Sequence, residues 1–215
     1  MKKVFTAAII GCGNRGAGTY GKLFAERKDK YKITALCDCN AERLRNYGKL
    51  FGVDGKELFI NEKDFWKEKQ ADLLVIGTMD TDHVHQCIKA LSLGYVVLLE
   101  KPITDKREEC EQLLEAQRKY GGKVLVCHVL RYAPAYKKVA GMLKSGAIGR
   151  LVAIQSLEQV AYWHDTHSFV RGNWRRRDET VRMILAKGCH DLDLLQYFAG
   201  SRCESVSSVG DLAYF

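Results

Sequence analysis

The chain has 215 residues, of which 47% are hydrophobic and 28% are charged, and its formal net charge is +8. This composition provides enough apolar material for one large or two small folded cores, and it excludes a disordered or fibrous chain. No apolar run approaches the length of a transmembrane helix, so we expect no membrane partner.

The basic residues are dispersed along the chain. The densest cluster, Arg175 to Arg177, is short and lacks a recognised nucleic-acid motif, so we expect a solvated loop and no nucleic-acid partner. Eight cysteines are present, and none of them forms a C-x-x-C pair. Scattered single cysteines fit a reducing cytoplasm and small buried apolar roles. We therefore predict a cytoplasmic protein without a disulfide framework or a metal site.

The stretch VFTAAIIGCGNRG, from Val4 to Gly16, carries the strongest local signal. An apolar run gives way to Gly11, Gly13 and Gly16, spaced as G-x-G-x-x-G. In this pattern a first strand turns into a helix and leaves backbone N–H groups facing a pyrophosphate. Gly11 permits the tight turn, Gly13 keeps side chains away from the phosphate, and Gly16 lets the helix pack on the strand. An ordinary strand-to-helix loop is the competing interpretation.

An acidic residue at the expected distance favours a dinucleotide site. The second apolar run, YKITALC, ends at Asp38, which lies 22 residues after Gly16. A carboxylate at that point accepts hydrogen bonds from the adenosine ribose and repels a 2′-phosphate. Asp38 therefore favours NAD over NADP, and Arg43 nearby is able to soften this preference.

Helix and strand patterns alternate through the first two thirds of the chain. This alternation predicts an α/β fold, a doubly wound parallel sheet of the Rossmann type with helices on both faces. The predicted helices are Gly16 to Arg27, Ala41 to Phe51, a helix after Gly77–Asp80, and Thr104 to Lys119; the predicted strands are Leu73 to Ile76, Tyr95 to Leu99 and Lys123 to Cys127, with a short strand and helix within Val53 to Lys69. We predict a nucleotide-binding domain over residues 1–130 and a partial second domain over 131–215.

The fifth predicted strand runs directly into Glu100, Lys101 and Pro102. In open parallel sheets, the groups just past the carboxyl ends of strands line the ligand crevice. Because Lys101 precedes a proline, its backbone is directed away from helical geometry, which gives the ammonium a fixed direction. The alternative is a surface lysine at a strand end.

The last third of the chain has the pattern of a mixed helix and strand domain. Ala135 to Leu143 is a predicted helix, and Leu151 to Val160 has the alternation of an antiparallel strand. A long loop then leads to a helix from Val181 to Phe198 and to a second alternating segment from Glu204 to Phe215. A sheet ending on the apolar residues 212–215 would expose an unpaired edge. We therefore expect either a fragment or a partner subunit that covers this edge, as in a homo-oligomer formed through the C-terminal sheet.

Six motifs occur in order along the chain: GCGNRG, TMDTDHVHQCIKAL, LLEKPIT, LRYAPAY, GAIGRL and GCHDLDLL. Together they resemble the glucose-fructose oxidoreductase and inositol dehydrogenase family (Gfo/Idh/MocA), and EKP after the fifth strand is the most specific of them. The resemblance implies a Rossmann domain followed by a mixed α/β domain whose open sheet carries the substrate and often builds the oligomer. It also implies NAD(P)-dependent oxidation or reduction at a carbinol carbon of a sugar, inositol or related polyol.

The resemblance also implies roles for individual residues. The catalytic residues would be Lys101, His190 and Lys187. The cofactor-binding residues would be Gly11, Gly13, Asn14, Arg15, Gly16, Asp38, Thr78, His83 and Glu100. The substrate contacts would be Arg131, His164, His167 and Trp174.

One position departs from the family pattern. Many members carry an aspartate four residues before the active-site histidine, but here that position is Ala186, and Lys187 stands beside it. On a helix, Lys187 either faces the substrate with His190 or pairs with Asp191. A lysine is a poor base at its free pKa of about 10.4, so Lys101 needs burial or cationic neighbours to lower its pKa. The bound nicotinamide and Lys187 are the candidate cationic neighbours.

Three functions remain open at this point. The chain is an NAD(P)-dependent dehydrogenase, an NAD-dependent glycosidase that oxidises and re-reduces a sugar within one cycle, or a non-catalytic NAD-binding fragment. Structural interpretations of single residues also stand. His83 in the first turn of a helix can simply cap or pack, His190 can form an ion pair on a helix face, and a polar loop would contain His164 and His167 anyway.

Overall fold

The computed structural model describes residues 3–176 and 178–211. The chain divides into two compact units, Met1–Cys127 and His128–Phe215. The predicted domain ranges, 1–130 and 131–215, stay predictions. Among the helices of the described residues, none combines the length and the apolar character needed to cross a membrane.

The described part of the first unit contains one six-stranded sheet. Its strands are β1 Phe5–Ile10, β2 Tyr31–Cys37, β3 Leu58–Phe59, β4 Leu73–Ile76, β5 Val96–Leu99 and β6 Val124–Val126. All neighbouring strands are parallel, and their order is β3-β2-β1-β4-β5-β6. This is the order of a Rossmann fold, so the predicted fold class is confirmed. The order reverses between β1 and β4, and a ligand crevice is expected beyond the carboxyl ends of these two strands.

The sheet is covered by helices on both faces. The helices of this unit are α1 Lys22–Glu26, α2 Ala41–Phe51, α3 Glu62–Phe65, α4 His83–Ser92 and α5 Arg107–Tyr120. Successive side chains of a strand point to opposite faces. Ile9 accordingly belongs to one buried cluster, together with α2 residues, while Ala8 and Ile10 belong to the other, together with residues of α4 and α5. This two-sided burial explains the continuous apolar runs of the sequence.

In the first unit, the helices predicted from Gly16 and from Thr104 begin later than expected. The segment Gly16–Gly21 forms a π-helical turn, and only Lys22–Glu26 is α-helical. The helix predicted from Thr104 starts at Arg107. The hydroxyl of Thr104 accepts a hydrogen bond from the Lys106 N–H, and such a local side-chain bond competes with the first helical turn.

The described part of the second unit contains helices. They are α6 Pro134–Lys144, α7 Tyr162–Asp165 and α8 Met183–Ala199, and a π-helical turn at Thr166–Val170 follows α7. The loop predicted before α8 is therefore partly helical. The strand predicted at Leu151 to Val160 was wrong, because these residues have no ladder partner within the described chain. Residues 204–211 are likewise irregular, and 212–215 lie outside the described residues.

Candidate functional site

The glycine-rich corner lies between β1 and the π-helical turn. Gly11 has a φ of 82°, and a Cβ there would lie 2.5 Å from the carbonyl carbon of Gly77. A Cβ at Gly16 would overlap the carbonyl oxygen of Gly11, whereas a Cβ at Gly13 would meet no atom within 4 Å. Gly11 and Gly16 are therefore required by the packing of the corner. Gly13 instead borders open space in front of the backbone.

The backbone of this corner retains unused donors. Within the described residues, the N–H groups of Gly13, Asn14 and Arg15 donate to no protein acceptor. The side chains of Asn14 and Arg15 are exposed. N–H groups at the start of a helix are a site for anions, because they carry partial positive charge and lack partners. Open space beside these donors fits a diphosphate.

Asp38 closes one side of the corner. Its side chain is buried, and its Oδ2 accepts a hydrogen bond of 2.7 Å from the Cys12 N–H. Its Oδ1 accepts a bond of 2.8 Å from the Asn40 N–H. Arg43 Nη1 lies 3.2 Å from Oδ2, so the guanidinium neutralises this carboxylate. The structure thus ties the acid at the end of β2 to the glycine-rich corner.

Thr78 follows β4 on the other side of the switch point. Its hydroxyl donates a bond of 2.7 Å to Gln86 Oε1, and Gln86 Nε2 donates a bond of 2.5 Å to Glu62 Oε1. Trp66 Nε1 donates to the second oxygen of Glu62 at 3.1 Å. Gln86 is fully buried, so this chain of bonds fixes the Thr78 hydroxyl with its proton directed inward. The lone pairs of that hydroxyl are left for a donor on a ligand.

His83 begins α4 and is buried. Its Nδ1 lies 2.7 Å from the carbonyl oxygen of Pro102, whereas its Nε2 is buried without a hydrogen-bond partner. Burial lowers the pKa of His83 below the usual 6.5. The ring is therefore neutral at pH 7, and we assign its proton to Nδ1, which donates to Pro102. His83 therefore binds the carbonyl of Pro102, the residue that follows Lys101.

Glu100 and Lys101 follow β5 at the same edge of the sheet. Glu100 is buried, and its two oxygens accept bonds from the Tyr20 hydroxyl at 2.8 Å and from the Lys101 N–H at 3.0 Å. Lys101 is half-buried, and the peptide bond between Lys101 and Pro102 is cis. Burial raises the pKa of Cys127, which follows β6, to about 11, and the positive charge of Lys101 opposes this rise.

In the second unit, α8 carries Lys187 and His190. Lys187 Nζ contacts His164 Nε2 from α7 and lies 5.6 Å from the centre of the Phe169 ring. His190 packs edge to face on His128, with the ring centres 5.9 Å apart. The structure therefore brings Lys187 and His164 together, as two of the predicted site residues, and gives His190 an imidazole neighbour that the sequence did not suggest.

Arg131 makes a two-pronged ion pair with Asp193. Its Nε and Nη2 each lie 2.7 Å from a carboxylate oxygen, and the guanidinium is 4.7 Å from the centre of the Tyr197 ring. This hydrogen bond raises the pKa of Arg131. His128 Nδ1 lies 3.9 Å from the same carboxylate. Arg131 was predicted to contact substrate, but its donors are directed at α8.

The two remaining predicted substrate residues lie near the π-helical turn that follows α7. His167 is exposed, and Trp174 is half-buried. The backbone N–H of Trp174 donates to the Ser168 carbonyl at 3.2 Å. The centre of the Trp174 ring lies 6.4 Å from that of the Phe169 ring. Trp174 thus lies beside Phe169, the ring that the Lys187 ammonium contacts. The substrate contact of His167 stays a prediction.

Two family models match the chain. One, described as an oxidoreductase family with an NAD-binding Rossmann fold, matches residues 5–128, and the other, described as the GFO/IDH/MocA C-terminal domain, matches residues 136–214. The chain belongs to the Gfo/Idh/MocA oxidoreductase family. The predicted family is therefore confirmed, and the first unit corresponds to the NAD-binding Rossmann domain of that family.

Two named relatives resemble the chain over much of its length. YteT of Bacillus subtilis (strain 168) is 28% identical over 213 residues, which are 96% of this chain and 50% of YteT. D-apiose dehydrogenase of Paraburkholderia graminis is 30% identical over 148 residues, 68% of this chain and 38% of the enzyme. The chain spans about half the length of the relatives it matches.

A solved dehydrogenase structure superposes well on the chain. The WlbA dehydrogenase from Bordetella pertussis, crystallised with NADH and UDP-GlcNAcA, has a TM-score of 0.76 and 22% identity. The match covers 92% of this chain and 57% of that structure. At this identity the likeness shows the fold.

Sequence reasoning missed several residues that hold the site together. Tyr20 and Gln86 bond predicted site residues, His128 packs against His190, and Asp193 pairs with Arg131. Each is an ordinary residue of its helix or strand, and its partner lies elsewhere in the sequence. The polar character of Gln86 among the apolar positions of α4 was the one local signal available.

Proposed function

We propose that the chain carries the active-site machinery of an NAD(P)-dependent dehydrogenase that acts on a carbinol carbon of a sugar, inositol or related polyol. One observation carries the proposal: the glycine-rich corner, with its unused N–H groups and bonded Asp38, lies at the carboxyl edge of the sheet from which Lys101 also emerges. The family relatives named as D-apiose and inositol dehydrogenases support the reaction class.

The first unit provides a binding site that fits NAD. The N–H groups of Gly13, Asn14 and Arg15 would bind the diphosphate, and open space at Gly13 admits it. Asp38 would face the adenosine ribose, which favours NAD over NADP because a carboxylate repels a 2′-phosphate. We also assign Thr78 to this site. When bound, NAD supplies the hydride acceptor.

Lys101 is the residue we propose as the base. Oxidation of a secondary alcohol requires a group that takes the hydroxyl proton. Lys101 lies at the strand edge, with its backbone fixed by Glu100 on one side and by the His83 bond to Pro102 on the other. In the second unit we propose that His190 and Lys187 act on the substrate and that His164, His167 and Trp174 contact it.

Arg131 receives a different assignment. Asp193 occupies both prongs of its guanidinium, so we propose that Arg131 fixes α8 rather than contacting the substrate. A planar fork bound in this way has little freedom left for a second carboxylate or hydroxyl partner. The role of α8 would be to hold His190 and Lys187 in place.

A glycosidase is not favoured, because the relatives that bear names of activities on sugars and inositol include several dehydrogenases. A non-catalytic NAD-binding protein is the second candidate, because the glycine-rich corner would bind NAD whether or not turnover follows. The two remaining candidates agree on NAD binding and differ on turnover.

Titration and turnover test the proposal together. Titration of the protein with NAD and NADP, followed by tryptophan fluorescence, should show saturable binding with preference for NAD. A panel of sugars and polyols with NAD should then yield NADH, and Lys101→Ala should abolish the production. Lys123→Ala is the matched control. Lys123 precedes β6, so it lies at the amino ends of the parallel strands, whereas Lys101 follows β5 at their carboxyl ends. Full activity of Lys101→Ala would remove the proposed base, and NAD binding without turnover on any substrate would favour the non-catalytic candidate.

We further propose a cytoplasmic homo-oligomer that associates through the second unit. Its exposed apolar side chains support association, since Val152, Leu157 and Val206 are 84%, 76% and 84% exposed. All eight cysteines are unpaired, which fits a reducing compartment. Light scattering coupled to size-exclusion chromatography tests the assembly, and a monomer at all concentrations would contradict it.

A further inference from the structure

The hydroxyl of Tyr20 joins two elements of the first unit. Tyr20 belongs to the π-helical turn Gly16–Gly21, and its hydroxyl donates a hydrogen bond of 2.8 Å to Glu100, just after β5. π-helical turns are rare and frequently occur at functional sites. This turn directs a phenol at the residues that precede the proposed base.

The direction of each bond follows from the donors available. Burial is the largest cause that raises the pKa of Tyr20, so its hydroxyl keeps its proton at neutral pH. A carboxylate accepts only, so this proton is donated to Glu100. The other oxygen of Glu100 accepts from the Lys101 N–H, so both oxygens of this buried carboxylate have a donor.

The same bonds continue in both directions along the backbone. The Tyr20 N–H donates to the Arg15 carbonyl at 3.1 Å, which joins this residue to the glycine-rich corner. The second oxygen of Glu100 accepts the Lys101 N–H at 3.0 Å. A continuous hydrogen-bonded path therefore runs from the corner that would bind the diphosphate to the backbone of Lys101.

We propose that Tyr20 is a positioning residue, which holds the Glu100 carboxylate in place and thereby fixes the backbone of Lys101 relative to the glycine-rich corner. The inference rests on the proposed function for its catalytic consequence, but its structural part concerns residues of this chain alone. Without the phenol, Glu100 would be a buried carboxylate that lacks its strongest donor. Its side chain would then turn toward solvent, and the Lys101 N–H would lose its acceptor.

Amide hydrogen exchange tests the structural part without cofactor or substrate. Tyr20→Phe removes one oxygen and keeps the ring. We expect exchange of the Lys101 amide to become roughly tenfold faster, because a hydrogen bond to a charged group is lost. Tyr95→Phe is the control, since Tyr95 precedes β5 at its other end and its hydroxyl accepts from the Gln70 N–H at 2.7 Å. That variant should leave the Lys101 amide unchanged.

A second variant keeps the test decisive if Tyr20→Phe is poorly folded. Glu100→Gln retains an oxygen for the phenol but weakens the path to Lys101, so it should also accelerate exchange there. The effects of Tyr20→Phe and Glu100→Gln should be less than additive in the double variant, because both act on one path. Wild-type exchange at Lys101 in a folded Tyr20→Phe, or additive effects in the double variant, would overturn the proposal.

Kinetics test the catalytic consequence. In Tyr20→Phe we expect kcat to fall roughly tenfold while the dissociation constant for NAD stays within about twofold, since the phenol bonds the Glu100 carboxylate next to the base and none of the diphosphate donors. A loss confined to NAD affinity would overturn the positioning role. If the wild-type protein does not bind NAD, the proposed function fails, and the exchange result still decides the role of Tyr20.

Discussion

Asp38 Oδ2 accepts a hydrogen bond of 2.7 Å from the backbone N–H of Cys12, so the acid at the end of β2 is part of the glycine-rich corner. Cys12 lies between the first two glycines of the motif, and the bond holds this backbone in the shape that leaves the following N–H groups free. Under the proposed function Asp38 has two tasks, since the carboxylate that shapes the corner would also exclude a 2′-phosphate.

Asp38→Ser should shift the cofactor preference toward NADP. The substitution removes the negative charge and releases Arg43, whose guanidinium is then able to bind a 2′-phosphate. We expect the ratio of the dissociation constants, NADP over NAD, to fall roughly tenfold or more. Fluorescence titration with both nucleotides measures it. Asp38→Ser combined with Arg43→Ala should lose the gain in NADP affinity. An unchanged ratio of the two dissociation constants in Asp38→Ser would show that this acid does not select the cofactor.

His83 should make stability depend on pH. Its native pKa is lowered by burial, so below pH 6.5 the unfolded chain binds a proton that the native chain refuses. The stability that the buried neutral His83 contributes is therefore fully present above pH 6.5. It is lost as the pH falls toward the lowered native pKa of His83. His83→Asn keeps an N–H donor for Pro102 but does not titrate. The stability advantage of wild type, about 1–3 kcal/mol at pH 7.5, should shrink by up to about 1.4 kcal/mol at pH 5.5.

Urea unfolding at the two pH values measures this difference. The first unit must unfold in a transition that its own residues report, and Trp66 fluorescence provides this once Trp163 and Trp174 of the second unit are replaced by Phe in every variant compared. A wild-type advantage that is equal at both pH values would contradict a buried neutral His83.

The parts of the fold that sequence predicted best are those whose signal is local. β4 is a continuous apolar run because both faces of the sheet are covered, and α2 begins after Asn40 and ends at Gly52. The Asn40 side chain accepts from the Arg43 N–H, and Gly52 has a φ of 68°, a conformation that favours glycine. Both signals lie within a few residues of the feature they predict.

The parts that sequence could not predict depend on distant partners. Tyr20 and Glu100 are separated by 80 positions, and nothing near either residue indicates the bond between them. The alternation in Leu151 to Val160 describes which side chains share a face, but a strand also needs a neighbour to pair with. Within the described residues that segment has none.

The Arg131–Asp193 pair should stabilise the second unit measurably. Its side chains are 39% and 12% exposed, and solvent therefore screens it only in part. A double-mutant cycle with Arg131→Ala and Asp193→Ala should give a coupling free energy of about 1 kcal/mol. The matched control is Arg176–Asp178, which has a similar fork but is 53% and 68% exposed and should give a coupling near zero. Equal coupling in the two pairs would contradict the role of Arg131 in fixing α8.

The measurement that tests the central claim most directly is NAD binding by Gly13→Ala, with Gly55→Ala as control. A Cβ meets no atom within 4 Å at either position, so both variants should fold with thermal midpoints close to wild type. Only at Gly13 would the methyl group occupy the space proposed for the diphosphate. We predict that Gly13→Ala binds NAD roughly tenfold more weakly or worse, whereas Gly55→Ala binds it as wild type does. Wild-type affinity in a folded Gly13→Ala would contradict a dinucleotide site at this corner.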